Sequence, residues 1–294
     1  VSGVTASDKT YDGSVTATMD GNSVVYSGLV PGDTFDGSYT GVFSNANVGT
    51  GKTVTITSSY TGADVSNYNI TNQTSTTADI SAKALTATAS ASNKTYNATN
   101  SASVTLTLSG LIGSETLGST NTSTFNNKNV GTGKTVTVNS ITLANGSNGG
   151  LAANYSISTG QTTTANITAK SLTVSGITAS NKTYDGSTNA TLTGTAVYSG
   201  LVSGDTFDGT YTGAFSDKNA GVGKTVTITS SYSGADVSNY SVTDQSTTTA
   251  NITAKALTAT ASASNKTYDG GTTASTTLTF TGLVGSETLG QTVG

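Results

Sequence analysis

A single hexamer constrains this chain more than any other feature. NKTYDG stands at 181–186 and again at 265–270, with DKTYDG at 8–13 and NKTYNA at 93–98. The tyrosines Tyr11, Tyr96, Tyr184 and Tyr268 are 85, 88 and 84 residues apart. That period is too long for one coil of a solenoid, whose units run to roughly 20–50 residues, and suits a small autonomous domain. The chain therefore reads as a string of similar units, with boundaries expected at 1–82, 83–169, 170–254 and 255–294.

The units alternate. The first and third share YSGLV, GDTFDG (32–37 and 204–209) and GADVSNY; the second and fourth share KALTATASASNKTY (83–96 and 255–268) and GSETLG (113–118 and 285–290). We call the first and third A-type and the second and fourth B-type. Unit one lacks a counterpart of the AKSLT that precedes unit three, and unit four stops shortly after GSETLG, so a segment of a longer repetitive protein is expected.

Within unit three, LTVSGITAS reads as a strand bent at Gly176, and Asp185-Gly186 as a turn needing positive φ. GKTVTITSSYSG has the cleanest two-residue period, with Val226 and Ile228 on one face and Thr225, Thr227 and Thr229 on the other. No stretch repeats at 3.6 residues. Six or seven short strands per unit, with turn signals every 8–12 residues, predict an all-β chain of tandem Ig-like β-sandwich repeats. The joints NITAKSLTVSG and NITAKALTATA lack Gly and Pro within the strand-to-strand crossing, so the units are expected to stack end to end as an elongated rod, each spanning on the order of 30–40 Å.

Composition narrows the chemistry. The chain has no Cys, His, Trp or Arg, which removes thiolate nucleophiles, disulfides, the usual general base and the commonest transition-metal ligand. An enzyme is not expected, and no catalytic, cofactor-binding or metal-binding residue is assigned. The net charge of −4, with all cations evenly spread lysines, gives no face for nucleic acid. No apolar run is long enough to insert in a membrane. Charge is only 10%, and the apolar residues are regularly placed, so thin folded cores are expected rather than disorder.

Five features invite a functional reading. Asp33 and Asp36, and again Asp205 and Asp208, sit three apart beside glycines; calcium wants six to eight oxygens, and turn formation is the plainer role. Lys52, Lys134 and Lys224 occupy matching places in the GKTVT strand where an internal isopeptide lysine could stand, but the expected phase sets them with the threonines, in solvent. Asn69, Asn97, Asn121, Asn154, Asn166, Asn239 and Asn251 begin N-x-S/T sequons, which a Thr- and Asn-rich chain also makes by chance. GTGK at 49–52 and 131–134 echoes a phosphate loop but leads into a strand rather than a helix. The hexamer tyrosines and the NY tyrosines, Tyr68, Tyr155 and Tyr240, are expected to cap thin cores with their hydroxyls on backbone groups; sugar stacking is the alternative.

The set KTYDG, GLV-x-GD, GKTVT, NY-x-(I/V)-T and ANITAK-x-LT resembles the YDG-type repeats of bacterial two-partner-secretion adhesins, the filamentous-haemagglutinin-like surface proteins. The resemblance covers essentially the whole chain. It implies an extracellular or bacterial cell-surface stalk supporting adhesion, aggregation or biofilm formation. Its partners would be a host surface, a neighbouring cell or extracellular polysaccharide, met through the full-length protein. Direct glycan binding and self-association into fibres are the alternatives. Asn97 and Ala98 replace Asp-Gly in unit two, leaving the tyrosine as the shared element.

Overall fold

A computed structural model describes residues 1–290. All regular structure in them is β-strand, apart from three single turns of 3-10 helix at Val65–Asn67, Ala152–Asn154 and Val237–Asn239. Among the described residues no helix is long and apolar enough to cross a membrane. The chain divides into two compact units, residues 1–94 with 99–166, and residues 95–98 with 167 onward.

In the second unit, the third repeat forms two main sheets beside a two-stranded pairing of Thr178–Ala179 with Leu192–Thr193. The larger is ordered Lys182–Thr183, Thr247–Thr253, Gly221–Ser233, Asp208–Phe215, Asn189–Ala190. The smaller is ordered Val197–Ser199, Lys170–Ser175, Tyr240–Thr243. Most pairings are antiparallel, but Lys182–Thr183 runs parallel to Thr247–Thr253, and Lys170–Ser175 parallel to Tyr240–Thr243. The expected bend is present, since Gly176 has φ of 85° and separates Lys170–Ser175 from Thr178–Ala179.

The first unit repeats the pattern. Lys9–Thr10, Ser75–Ser81, Gly49–Thr61, Asp36–Phe43 and Thr16–Ala17 form the five-stranded sheet of the first repeat. In the second repeat Val104–Ser109, Lys83–Ala91 and Tyr155–Ile157 form the three-stranded one. Ser75–Ser81 and Lys83–Ala91 are separated by Ala82 alone.

Alternation sets the core. Val54 and Ile56 are buried at 0% and 7% exposure, while Thr53, Thr55 and Thr57 are exposed; Val226 and Ile228 repeat this between exposed threonines. Each such side chain contributes about 1.5–3 kcal/mol relative to exposure, so a thin core depends on keeping every member inward. One apolar cluster in the first unit runs from Phe43, Val54 and Ile80 through Tyr11 to Leu85 and Tyr155. A residue of the hexamer thus lies in the same core as residues of the following repeat.

The GTGK stretch is a bulge. The register slips between Gly49 and Lys52 and between Gly221 and Lys224, with Gly51 and Gly223 at φ of 57° and 63°. The freed amide of Gly51 donates to Asp79 Oδ1 at 2.7 Å, that of Gly133 to Asn166 Oδ1 at 2.8 Å, and that of Gly223 to Asn251 Oδ1 at 2.7 Å. These amides serve the fold.

The lysine that follows corrects one expectation. Lys224 shares the face of Val226 and Ile228, not that of the threonines, because residues two apart along a strand point the same way. Its side chain is 12% exposed and its Nζ pairs with Asp217. Lys52 and Lys134 donate to Asn45 Oδ1 at 2.8 Å and Asn127 Oδ1 at 2.7 Å.

Candidate functional site

The hexamer builds a tight loop before it does anything else. Lys9 Nζ donates to Asp12 Oδ1 and the Ser14 carbonyl, both at 2.8 Å, and to the Thr16 carbonyl at 3.1 Å, lying 5.4 Å from the Phe43 ring centre. Lys182 repeats this with Asp185, Ser187, Asn189 and Phe215. The hydrogen bond from Lys182, then the backbone N–H of Ser187, holds the Asp185 carboxyl down to about 2. Lys94 keeps the carbonyl contacts, to Thr99 and Ser101, where Asn97 replaces the aspartate. The following residue takes positive φ: 76° at Gly13, 77° at Gly186, 75° at Gly270 and 61° at Ala98. Only glycine adopts this without strain, so Ala98 is held there by its surroundings.

The loop is tied to the last strand of its own repeat. The Tyr11 amide donates to the Ser81 carbonyl at 2.8 Å, that of Tyr96 to Thr168 at 2.9 Å, and that of Tyr184 to Thr253 at 2.8 Å. Asp8, Asn93 and Asn181, just before the lysine, accept from the amides of Asp79, Asn166 and Asn251, each at 2.7 Å. Backbone pairing thereby aims the tyrosine ring past the end of its repeat.

The ring lands on the next repeat. In the first unit, Tyr11 and Tyr155 meet edge to face at 5.3 Å between centroids. The Tyr11 hydroxyl donates to Glu115 Oε1 at 2.6 Å and the Tyr155 hydroxyl to Glu115 Oε2 at 2.7 Å. Burial first, then Glu115, pushes the Tyr11 phenol up to about 12 and raises that of Tyr155. In the second unit, Tyr96 meets Tyr240 at 5.6 Å, the Tyr96 hydroxyl reaches Asp236 Oδ1 at 3.4 Å, and the Tyr240 hydroxyl donates to Asp205 Oδ2 at 2.5 Å. Burial, then Asp205, pushes Tyr240 up to about 12. Further along that unit the Tyr184 hydroxyl donates to Glu287, whose Oε1 also lies 3.8 Å from Lys218 Nζ.

The NY tyrosines meet the expectation of a backbone anchor. The amides of Val30, Ile112 and Val202 donate to the hydroxyls of Tyr68, Tyr155 and Tyr240, each at 3.0 Å. The hexamer tyrosines differ: the hydroxyls of Tyr11, Tyr96 and Tyr184 go to carboxylates of the following repeat. Reading each repeat alone misses this. For Tyr11 and Tyr184 the signal is the acid four residues after GL, Glu115 and Glu287, whereas the Asp236 that Tyr96 reaches stands in the GADVSNY stretch.

The remaining candidates fall into place around this joint. Asp33 Oδ2 accepts from Tyr68 at 2.5 Å, as Asp205 does from Tyr240. Asp36 and Asp208 open the strands Asp36–Phe43 and Asp208–Phe215. Among the described residues no group of three or more His, Cys, Asp or Glu side chains is placed to hold a metal ion. Asn154, 1% exposed, donates to Asn47 Oδ1 and accepts from the Val48 amide, both at 3.0 Å, bracing the first repeat against the second. Asn239 is equally buried, so neither side chain is open to a glycan in the folded chain. Asn69 and Asn97 are exposed; Asn121, Asn166 and Asn251 are half-buried.

The site is thus a joint between successive repeats. A family model described as YDG domain matches residues 1–78, 81–165 and 168–250. No curated protein and no solved structure matches the chain. The matched segments cover most of the sequence, and the chain belongs to the YDG domain family.

Proposed function

We propose that this chain is a structural stalk: tandem Ig-like β-sandwich repeats stacked end to end as an elongated rod. It would hold a binding element of a bacterial cell-surface adhesin away from the cell and so support adhesion, aggregation or biofilm formation. The observation that carries the reading is the joint. Ala82 alone separates Ser75–Ser81 from Lys83–Ala91, and Tyr11, fixed on one repeat, lies buried against Tyr155 and Glu115 of the next. A one-residue connection braced by a buried ring leaves little angular freedom.

Small-angle X-ray scattering on the 294-residue chain tests this reading. A maximum dimension of roughly 100–140 Å with a rod-like cross-section is expected from about 30–40 Å per repeat. A flexible-coil profile, or the dimensions of a single globule, sinks it. Surface immunolabelling of producing cells tests the extracellular location, with neighbouring cells, host surfaces or polysaccharide as partners of the whole protein.

A second reading has its own observation. In the first repeat Tyr26, Phe35, Tyr39 and Tyr60 form a half-buried aromatic group, with Tyr26 and Tyr39 hydroxyls 3.0 Å apart and Tyr60 donating to Asn72 at 2.7 Å. Tyr198, Phe207, Tyr211 and Tyr232 repeat it in the third. Such rings suit stacking against sugars, repeated for avidity. Saturable glycan binding lost on Tyr26→Ala would favour this over the stalk.

A further inference from the structure

We propose that the repeats bear tension: a pull transmitted along the chain loads the opening and closing strands of a repeat in shear, so that their ladder bonds yield together rather than one by one. The proposal rests on the stalk reading and deepens it by naming the load that such a stalk carries. Its ground is the direction of two pairings. In the third repeat residues 170–173 lie parallel to Tyr240–Thr243, and Lys182–Thr183 parallel to residues 252–253. Chain tension draws an opening strand toward its N-terminus and a closing strand toward its C-terminus. Antiparallel partners drawn in this way part from one end, bond after bond. Parallel partners have to slide past each other, and the whole ladder resists at once.

Side chains join the two ladders into one seam. The Ile177 amide donates to Gln245 Oε1 at 3.0 Å, and the Ile177 carbonyl accepts from Gln245 Nε2 at 2.6 Å. The Asn251 amide donates to Asn181 Oδ1 at 2.7 Å, and the Tyr184 amide to the Thr253 carbonyl at 2.8 Å. The first repeat carries a matching seam. Val4 exchanges bonds of 3.0 and 2.8 Å with Gln73, Asp8 accepts from the Asp79 amide, and Lys9–Thr10 lies parallel to residues 80–81. Load passes from that seam to the next with little slack. Ser81 is in register with Thr10, and Lys83, two residues on, is in register with Tyr155 in the parallel pairing of the second repeat.

Optical tweezers on the intact 294-residue chain test the direction of loading. The chain has no Cys, so two introduced thiols are the only attachment points for DNA handles. Ser171→Cys with Ala254→Cys, both at exposed positions, pulls the third repeat along its opening and closing strands. Ser171→Cys with Ser238→Cys, again exposed, draws the first ladder apart from one end. At one loading rate the first pair should rupture at a force at least about twofold higher, because several ladder bonds share the load. It should do so in one step of at most roughly 300 Å, the length of the 83 residues between the handles. Equal forces in the two directions, or a lower force along the strands, overturn the proposal. Should a thiol pair unfold the repeat, the unsubstituted chain held by tags at its two termini decides. Abrupt steps of roughly 300 Å per repeat are then expected, and smooth extension without them overturns the proposal equally. A rod in scattering with equal forces keeps the stalk and sinks the clamp; a flexible-coil profile sinks the stalk, while the two forces still decide the clamp.

Discussion

The Tyr11 hydroxyl donates to Glu115 Oε1 at 2.6 Å across 104 residues of chain. It makes one core of two repeats, because the ring that carries the hydroxyl packs on Tyr155, whose own hydroxyl holds the other oxygen of the same carboxylate. Replacing Tyr11 by Phe keeps the ring and removes one hydrogen bond to a charged acceptor, costing about 2 kcal/mol. Tyr11→Ala removes the ring as well and should cost about 3–5 kcal/mol. Urea unfolding of the full chain, followed by far-UV circular dichroism, separates the two; equal effects would place the stabilisation in the hydrogen bond alone, and no effect of Tyr11→Phe would place it in the ring.

The left-handed position after the tyrosine predicts opposite outcomes in two repeats. Ala98 at φ of 61° carries strain of about 1–2 kcal/mol that glycine relieves, against about 0.4–1 kcal/mol of added chain entropy in the unfolded state. Ala98→Gly should therefore stabilise by about 0.5–1 kcal/mol. Gly13→Ala meets both the strain, at φ of 76°, and Ile112, and should destabilise by at least about 1 kcal/mol. Shifts in urea midpoint at constant slope check both signs.

Alkali should loosen the joints, and acid the loops that carry them. Tyr11 and Tyr240 ionise at about 12 in the folded chain against 10.0 for a free phenol, so the folded state holds protons that the unfolded state has lost. Their contribution is full below pH 10 and disappears as pH rises to about 12. Asp185 works the other way: held at about 2 against 3.8, its contribution is present above pH 3.8 and is lost as pH falls toward 2. Thermal melts from pH 2 to 12 should show a plateau between roughly 4 and 10, with the alkaline fall moved in Tyr11→Phe. A fall beginning near neutrality would contradict the assignment.

A thin core should be unforgiving on one face and indifferent on the other. Ile80, 1% exposed, belongs to the cluster that includes Tyr11, and Ile80→Ala should cost about 2–5 kcal/mol. Exposed Thr55, on the other face of its strand, should tolerate Ala within about 0.5 kcal/mol. Calorimetry of both variants checks the contrast.

Much of this fold is legible one strand at a time. The alternation of Val226 and Ile228 with threonine predicts the buried face, and Gly176 and Gly186 mark the bend and the turn, because each depends on local φ or on neighbours two residues away. Lys224 shows where counting slips matter, since one position of phase moves a side chain between faces. Parallel pairings such as Lys170–Ser175 with Tyr240–Thr243 leave no local mark, because their partners lie some seventy residues away.

The joint divides along the same line. The sequence by itself determined the period, the alternation of two repeat types, the all-β character and the recurrence of a tyrosine, a lysine and an acid at constant places. All of these are carried by residue identity and spacing. Only the tertiary structure decided that the tyrosine of one repeat belongs to the acid of the next, as Tyr11 does to Glu115 and Tyr96 to Asp236. A periodic chain offers each tyrosine an equivalent acid within its own repeat. The choice is made by the parallel pairing that anchors the loop on the last strand and so points the ring forward.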